Sequence, residues 1–394
     1  MEKYLVMINA DNNNNKFYHM KEVSGGEFEV TYGRVGKSGT TRTYPMCQWD
    51  TKYNEKIRKG YEDVTDLHAE KTVETDFRDD NDKVVNELMK KLIGFSKKFI
   101  SKHYSVSDNE VTPAMVEEAQ YIIGELKNKV ERDAISTGEF NYRLEKLFTT
   151  IPRSMGRVKD FMAENPKDFM DILEREQETL NVMKASVAQN GKVENKGNKT
   201  VLEALNLDIR ECTDGEMKTI ISHIEPANRG RVKRAFRVEN KDTENRFNTF
   251  CKKNDYNDGD IEYYFHGSRN QNWYGILSEG LKLNPDAPIT GKMWGYGLYS
   301  SPNAGKALNY ASLRDCYWNS ESANVGYMAV FKVALKNPKH FSKHTPEVGR
   351  ATQKTMDKWG TDGVYAHAGA SLKRDEVIVY REEQMTIRYL LEIA

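Results

Sequence analysis

With 394 residues the chain is long enough for two or three domains. Its 38% hydrophobic and 30% charged residues suit a globular protein, and no apolar run approaches the roughly 18 residues of a membrane helix. Lys plus Arg equals Asp plus Glu at 59 each, which excludes a chain-wide basic character and confines any nucleic-acid binding to a local patch.

The start, Met1-Glu2-Lys3-Tyr4-Leu5-Val6-Met7-Ile8, lacks the order of a secretory signal, so an intracellular protein is expected. Residues 1–66 read as β-rich. Tyr4–Ile8, Lys16–Met20 and Glu27–Tyr32 are strand candidates, with Gly25-Gly26, Gly33, Gly36 and Gly39 as turn signals. Asp50–Lys59 reads as a helix. The segment from Arg34 to Lys59 carries seven cations against Asp50 and Glu55, a candidate basic patch that charge alone does not separate from a mixed solvated surface. Residues 67–82 are acidic and poor in apolar side chains, which suits a linker.

Residues 83–185 turn helical. Val85, Leu88, Met89, Leu92, Phe95 and Phe99 recur at helical spacing. Thr112-Pro113 is a capped helix start, and Met115, Ala119, Ile122, Ile123, Leu126 and Val130 follow on one face. Asn165-Pro166 repeats the start before Phe169, Ile172, Leu173 and Leu180. A second linker is expected over 186–199, and from 200 to 394 the text is β-rich again. Strands are predicted at Ile261–Phe265, Tyr327–Leu335, Val377–Tyr380 and Met385–Ile393.

Cys47, Cys212, Cys251 and Cys316 lie far apart, without the spacing of a zinc or redox motif, so reduced thiols and no bound metal are expected. His340 and His344 are four apart, but no Glu follows the first, so a metalloprotease helix is excluded.

Three short motifs stand out: Phe265-His266-Gly267-Ser268-Arg269, Gly295-Tyr296-Gly297-Leu298-Tyr299 and Asp375-Glu376-Val377-Ile378-Val379-Tyr380. Together with Gly275–Leu281, Ala287–Met293, Lys306-Ala307-Leu308-Asn309-Tyr310 and Tyr389-Leu390-Leu391, they closely resemble the catalytic domain of poly(ADP-ribose) polymerases. Tyr32-Gly33-Arg34-Val35-Gly36 and Gly60-Tyr61 resemble the WGR domain of the DNA-dependent members. Val111–Val130 and Phe140-Asn141-Tyr142-Arg143 through Ile151-Pro152 resemble their helical regulatory subdomain. The fold implied is multidomain α+β. It comprises a small β-rich WGR-like domain over 1–66, an α-helical regulatory bundle over 83–185, and a mixed α/β ADP-ribosyltransferase catalytic fold over 200–394.

The resemblance implies NAD as co-substrate and assigns roles to particular residues. His266 would hold the adenosine ribose, its two ring nitrogens offering one donor and one acceptor, with Ser268 beside it. The Gly267 backbone would bond the nicotinamide amide, Tyr310 would stack on its ring, and Tyr299 would close the pocket, with Lys306 and Ala307 also lining it. Glu376 would accept from the nicotinamide-ribose 2′-hydroxyl and oppose the cationic charge of the sugar. Arg34 would pair with a DNA phosphate. DNA ends or nicks and protein acceptors, the chain itself included, are the implied partners, with no membrane. The compartment would be nuclear in a eukaryotic host and cytoplasmic in a bacterial one. Transfer of a single ADP-ribose, to protein or to a nucleic-acid end, and a non-catalytic DNA-break-binding scaffold remain open as alternatives. Three positions depart from the family: Ala307 replaces a serine that bonds the nicotinamide amide, Tyr32 replaces the WGR tryptophan, and Asn284-Pro285-Asp286 alters the loop over the donor site.

Overall fold

The computed structural model describes residues 1–68, 77–191, 199–283, 293–313 and 323–394. Cys316, Asn284-Pro285-Asp286, Ala287–Lys292 and parts of both expected linkers lie outside the described residues.

The N-terminal strands alternate in burial. In β3 (Glu27–Arg34) Phe28 and Val30 point inward while Glu27 and Glu29 face solvent, the period-two pattern of a half-buried strand. With β1 (Glu2–Asn9), β2 (Asn14–Val23), β4 (Thr40–Pro45) and β5 (Glu62–Asp63) it forms a sheet of order β4-β3-β2-β1-β5. Gly25 and Gly26, at φ +87° and +75°, close the β2–β3 turn, where a side chain would be strained. Helix α1 (Trp49–Arg58) sends Trp49 edge-on to Phe28, with ring centroids 5.0 Å apart.

Four helices follow: α2 (Lys83–His103), α3 (Pro113–Glu131), α4 (Thr137–Thr150) and α5 (Phe169–Gly191). Thr112 caps α3 by accepting from the Met115 amide. Phe140 of α4 stacks on Phe169 of α5 at 4.1 Å. The described residues fall into two compact units, and α2 is shared between them. Residues 1–68 and 97–191 form the first. Residues 77–96 belong to the second, where Val85, Leu88, Met89 and Leu92 are buried with Phe236, Trp273 and Tyr327.

The rest of the second unit starts with α6 (Val201–Ala204), β6 (Leu207–Glu211), α7 (Asp214–Ser222), β7 (Val232–Asn240), α8 (Lys241–Lys253) and β8 (Ile261–Ser268). It continues through α9 (Trp273–Glu279), β9 (Leu298–Ser300), α10 (Ala304–Leu308), β10 (Gly326–Ala334), β11 (Pro338–Phe341), α11 (Gln353–Trp359), β12 (Gly363–Ala366), β13 (Glu376–Val379) and β14 (Met385–Ile393). Two sheets result, β6-β7-β14-β10-β8 and β11-β12-β13-β9. They meet where Phe265 and Ser301 exchange both backbone hydrogen bonds, at 2.8 and 2.9 Å. That junction sets the end of β8 beside β9 and so places His266 next to Tyr299.

Candidate active site and nucleic-acid surface

His266 stands on β8 with its ring edge-on to Trp273 and Phe331. Its Nδ1–H donates to the Tyr299 carbonyl at 2.8 Å. Burial pushes the imidazole below its ordinary pKa, so the ring is neutral with Nε2 as an acceptor. The donor contact expected for a bound ribose is therefore already committed to the protein, and Nε2 is the nitrogen that can meet a ligand hydroxyl.

Gly267 lies against α10. A Cβ there would sit 1.7 Å from the Ala307 carbonyl oxygen, so the strand and helix approach more closely than any side chain permits. Ser268 turns to its own loop, its Oγ accepting from Asn272 Nδ2 at 3.0 Å. Ala307 is 3% exposed and has no hydroxyl to offer. Ala307→Ser is expected to tighten nicotinamide binding by about 0.5–1.5 kcal/mol, the net worth of one neutral hydrogen bond. Calorimetric titration with nicotinamide checks this, as a dissociation constant about 2- to 12-fold lower.

Glu376 opens β13 and is 8% exposed. Its Oε1 lies 2.7 Å from Lys306 Nζ, which also donates to the Arg374 carbonyl at 3.2 Å. Burial pushes the Lys306 ammonium down, against the pull of Glu376. Ile378 of β13 pairs with Tyr299 of β9, and the Tyr299 hydroxyl donates to Gly295 O at 2.8 Å while accepting from the Trp294 amide at 3.0 Å. Burial drives that phenol well above its ordinary range, and the neighbouring Tyr380 and the Glu376 carboxylate add to the effect. Tyr310 is 40% exposed, and its phenol too is raised by burial and then by Glu376. His266, Gly267, Tyr299, Lys306, Ala307, Tyr310 and Glu376 therefore converge from β8, β9, α10 with the turn after it, and β13. The Lys306–Glu376 pair was not read from the sequence. The two residues are 70 positions apart, and no local pattern joins them.

Arg34 lies in the first unit. Its Nη2 donates to Gly156 O at 2.7 Å and its Nη1 to Asn13 O at 3.4 Å. Asn13 Oδ1 in turn accepts from the Val158 amide at 3.1 Å. Three of the seven cations of the basic segment noted in the sequence lie over tyrosine rings. Lys56 Nζ lies 4.4 Å from the Tyr18 ring centroid, Lys52 Nζ 4.5 Å from Tyr44, and the Arg42 guanidinium 5.8 Å from Tyr32. Tyr18 and Tyr32 are direct cross-strand partners, which spaces these contacts across the sheet. The charge of the segment was visible in the sequence, but the pairing of its cations with tyrosines depends on register.

Residues 217–394 match the poly(ADP-ribose) polymerase catalytic domain, and residues 1–68 match the WGR domain. The chain is 33% identical over 201 residues to Uncharacterized protein 101L of Invertebrate iridescent virus 6, covering 50% of this chain and 84% of that protein. The chain belongs to the poly(ADP-ribose) polymerase family. It is 33% identical over 153 residues to Poly [ADP-ribose] polymerase 2 of Arabidopsis thaliana, covering 33% of this chain but only 23% of that relative. Against Poly [ADP-ribose] polymerase 2 of Zea mays it is 24% identical over 466 aligned positions, covering 99% of this chain and 69% of the relative. The multidomain α+β architecture and the order WGR then catalytic domain are those of this polymerase family, and its catalytic domain is an ADP-ribosyltransferase that uses NAD as substrate. Among the described residues no three His, Cys, Asp or Glu side chains converge as a metal site, and no helix is long and apolar enough to cross a membrane.

Proposed function

We propose that this chain is an NAD-dependent poly(ADP-ribosyl)transferase stimulated by DNA breaks, releasing nicotinamide and modifying protein acceptors that include itself. The observation that carries the reading is a buried carboxylate, Glu376, held 2.7 Å from Lys306 where His266, Tyr299 and Tyr310 also gather. Departure of nicotinamide leaves the anomeric carbon cationic, as in glycoside cleavage. A fixed carboxylate beside that carbon favours the charged transition state over the neutral-sugar ground state. Neutral His266 accepts from a ribose hydroxyl through Nε2, and the Gly267 backbone, with no side chain in the way, bonds the nicotinamide amide. Tyr310 supplies an exposed ring for stacking.

The WGR domain would receive the DNA end through Arg42, Lys52, Lys56 and Arg34. A guanidinium has five N–H donors, so the two carbonyl contacts of Arg34 leave donors for a phosphate. Arg34→Ala is expected to lower DNA stimulation and to reduce the salt slope of DNA binding by about 0.9. Lost stimulation with an unchanged slope would instead assign Arg34 to its Gly156 contact. The implied compartment is intracellular, nuclear in a eukaryotic host and cytoplasmic in a bacterial one.

Incubation with labelled NAD, with and without nicked DNA, tests the whole reading. A DNA-dependent ladder of products is expected. A single shift would mean transfer of one ADP-ribose, and background label with intact DNA binding would mean a scaffold.

A further inference from the structure

We propose that Lys339, Lys343, Arg350 and Lys373 form a basic strip on the second unit that holds the ADP-ribose chain already made while the site at Glu376 extends it. This rests on the reading of the protein as a polymerase. The strip begins in the sequence. Residues 336–358 carry six cations, Lys336, Lys339, Lys343, Arg350, Lys354 and Lys358, against two acids, Glu347 and Asp357, in a chain of zero net charge. Both acids are engaged: Asp357 pairs with Arg381 at 2.9 Å, and Glu347 accepts from the Trp359 indole N–H at 3.3 Å. Lys343, Arg350 and Lys373 are exposed. Among the described residues none of the four strip cations has a carboxylate partner. Like charges gathered in this way repel one another, which a polyanion relieves.

Backbone contacts fix the strip beside the reacting carboxylate. The loop that leads into Glu376 runs from His367 to Asp375, and it is bound at both of its ends and in its middle. The His367 amide donates to the Phe341 carbonyl of β11 at 2.7 Å. Further on, the His344 amide donates to Ser371 Oγ at 3.0 Å, which sets Lys343, the residue before His344, near Lys373. Arg350 joins through the same histidine. A Cβ on Gly349 would lie 2.7 Å from His344 Nε2, so the imidazole packs against the backbone just before Arg350. Lys339 is the anchored member, its ammonium 3.8 Å from the Trp359 ring centroid and 5.7 Å from that of Phe341. At the far end the loop reaches the site: the Arg374 carbonyl accepts from Lys306 Nζ at 3.2 Å, and Lys306 lies 2.7 Å from Glu376. Asp375, the acid on this path, is occupied by the Ala368 amide at 2.7 Å and the Tyr365 hydroxyl at 3.1 Å.

The chemistry of the strip fits the growing product. An ADP-ribose polymer carries a pyrophosphate in every unit and is as flexible as a single-stranded nucleic acid, which tracks along basic grooves. Its growing end must come to Glu376, so its next phosphates fall where the strip begins. Duplex DNA has no such reason to approach a strip that ends at a buried carboxylate. A chain held there presents its end at high effective concentration, and successive additions proceed without release.

The test uses the full chain, with purified ADP-ribose polymer as one probe and duplex DNA as the other, read by fluorescence anisotropy across a salt series. Lys343→Gln, Arg350→Gln and Lys373→Gln combined should weaken polymer binding about 10- to 100-fold at about 0.1 M salt and flatten its salt slope by about 0.7 per lost contact, the single-strand value. Duplex binding should not change. With NAD and nicked DNA, the same variant should make shorter products at an unchanged KM for NAD and an unchanged initial rate of nicotinamide release. Lys241→Gln, Lys252→Gln and Lys253→Gln combined remove the same charge from exposed positions on α8 and should leave polymer binding and product length as in wild type. Wild-type polymer affinity in the Lys343, Arg350 and Lys373 variant would overturn the strip. An equal loss of duplex and polymer binding would overturn it in favour of a nucleic-acid surface. If wild type makes no polymer from NAD, the polymerase reading fails, and binding of added polymer still decides whether the strip exists.

Discussion

Glu376→Gln is expected to slow ADP-ribosyl transfer by about 10²–10³, the usual cost of removing one fixed electrostatic contact to a developing charge, or roughly 2.7–4 kcal/mol. Glutamine keeps the shape of the side chain and can still bond a ribose hydroxyl, so the KM for NAD should stay within a few-fold of wild type. The fold should survive as well. Lys306 lies at 2.7 Å and would lose its counter-ion, but burial already pushes that ammonium down and Glu376 opposes the shift. In the variant Lys306 sheds its proton more readily, and it keeps its bond to the Arg374 carbonyl and the charge of Asp375. Nicotinamide release under saturating NAD is the measurement. A variant within threefold of wild type would remove Glu376 from the chemistry and, with it, the proposed activity.

Gly267→Ala is expected to disable the site by a different route. The new methyl would lie 1.7 Å from the Ala307 carbonyl oxygen and 2.7 Å from its carbonyl carbon. Both are backbone atoms that cannot swing aside. β8 cannot retreat either, because Gly267 is paired to Met328 in the sheet. Helix α10 must move, and it carries Lys306 and Ala307 and leads to Tyr310. Overpacking of this kind costs about 1–3 kcal/mol and sometimes more, which lowers the Tm by about 2–4 °C per kcal/mol in a domain of this size. Turnover should be undetectable, while the WGR domain in the other unit still binds DNA. Gly305→Ala is a useful control. Its methyl would meet Arg374 Nη1 at 2.2 Å and Asn228 Nδ2 at 2.7 Å, both side-chain ends that can shift. Wild-type stability and KM in Gly267→Ala would show that the β8–α10 contact is looser than the geometry implies.

Much of this was legible in the residues themselves. Thr112-Pro113 marked the start of α3, and the aromatic run Ile261–Phe265 before His266 and the β-branched run after Glu376 were both legible as strands. β4 escaped notice because Thr40–Pro45 is an edge strand with little burial and no alternation, visible only through its pairing with β3. The apolar stripe of α2 was plain, but its division was not. Periodicity shows which face of a helix is apolar and says nothing of what covers it, so Val85–Leu92 and Phe99 looked like one surface although they pack into different cores. The site was partly legible for the same reason. Residue types pointed to the chemistry, whereas the Tyr299 carbonyl on His266 and Lys306 on Glu376 are long-range partnerships made by the meeting of two sheets.

On the proposed reading, the lysines leaning on tyrosine rings in the N-terminal sheet would meet a polyanion with part of their side-chain freedom already given up. A lysine side chain carries about 2 kcal/mol of rotamer entropy. Lys52 over Tyr44 and Lys56 over Tyr18 have given up part of that freedom during folding. Less therefore remains to be lost on association, and ordering costs at an interface fall accordingly. Binding to a phosphate backbone should then show a smaller unfavourable entropy than the same number of unsupported lysines, a thermodynamic signature that cation counting alone would not foresee.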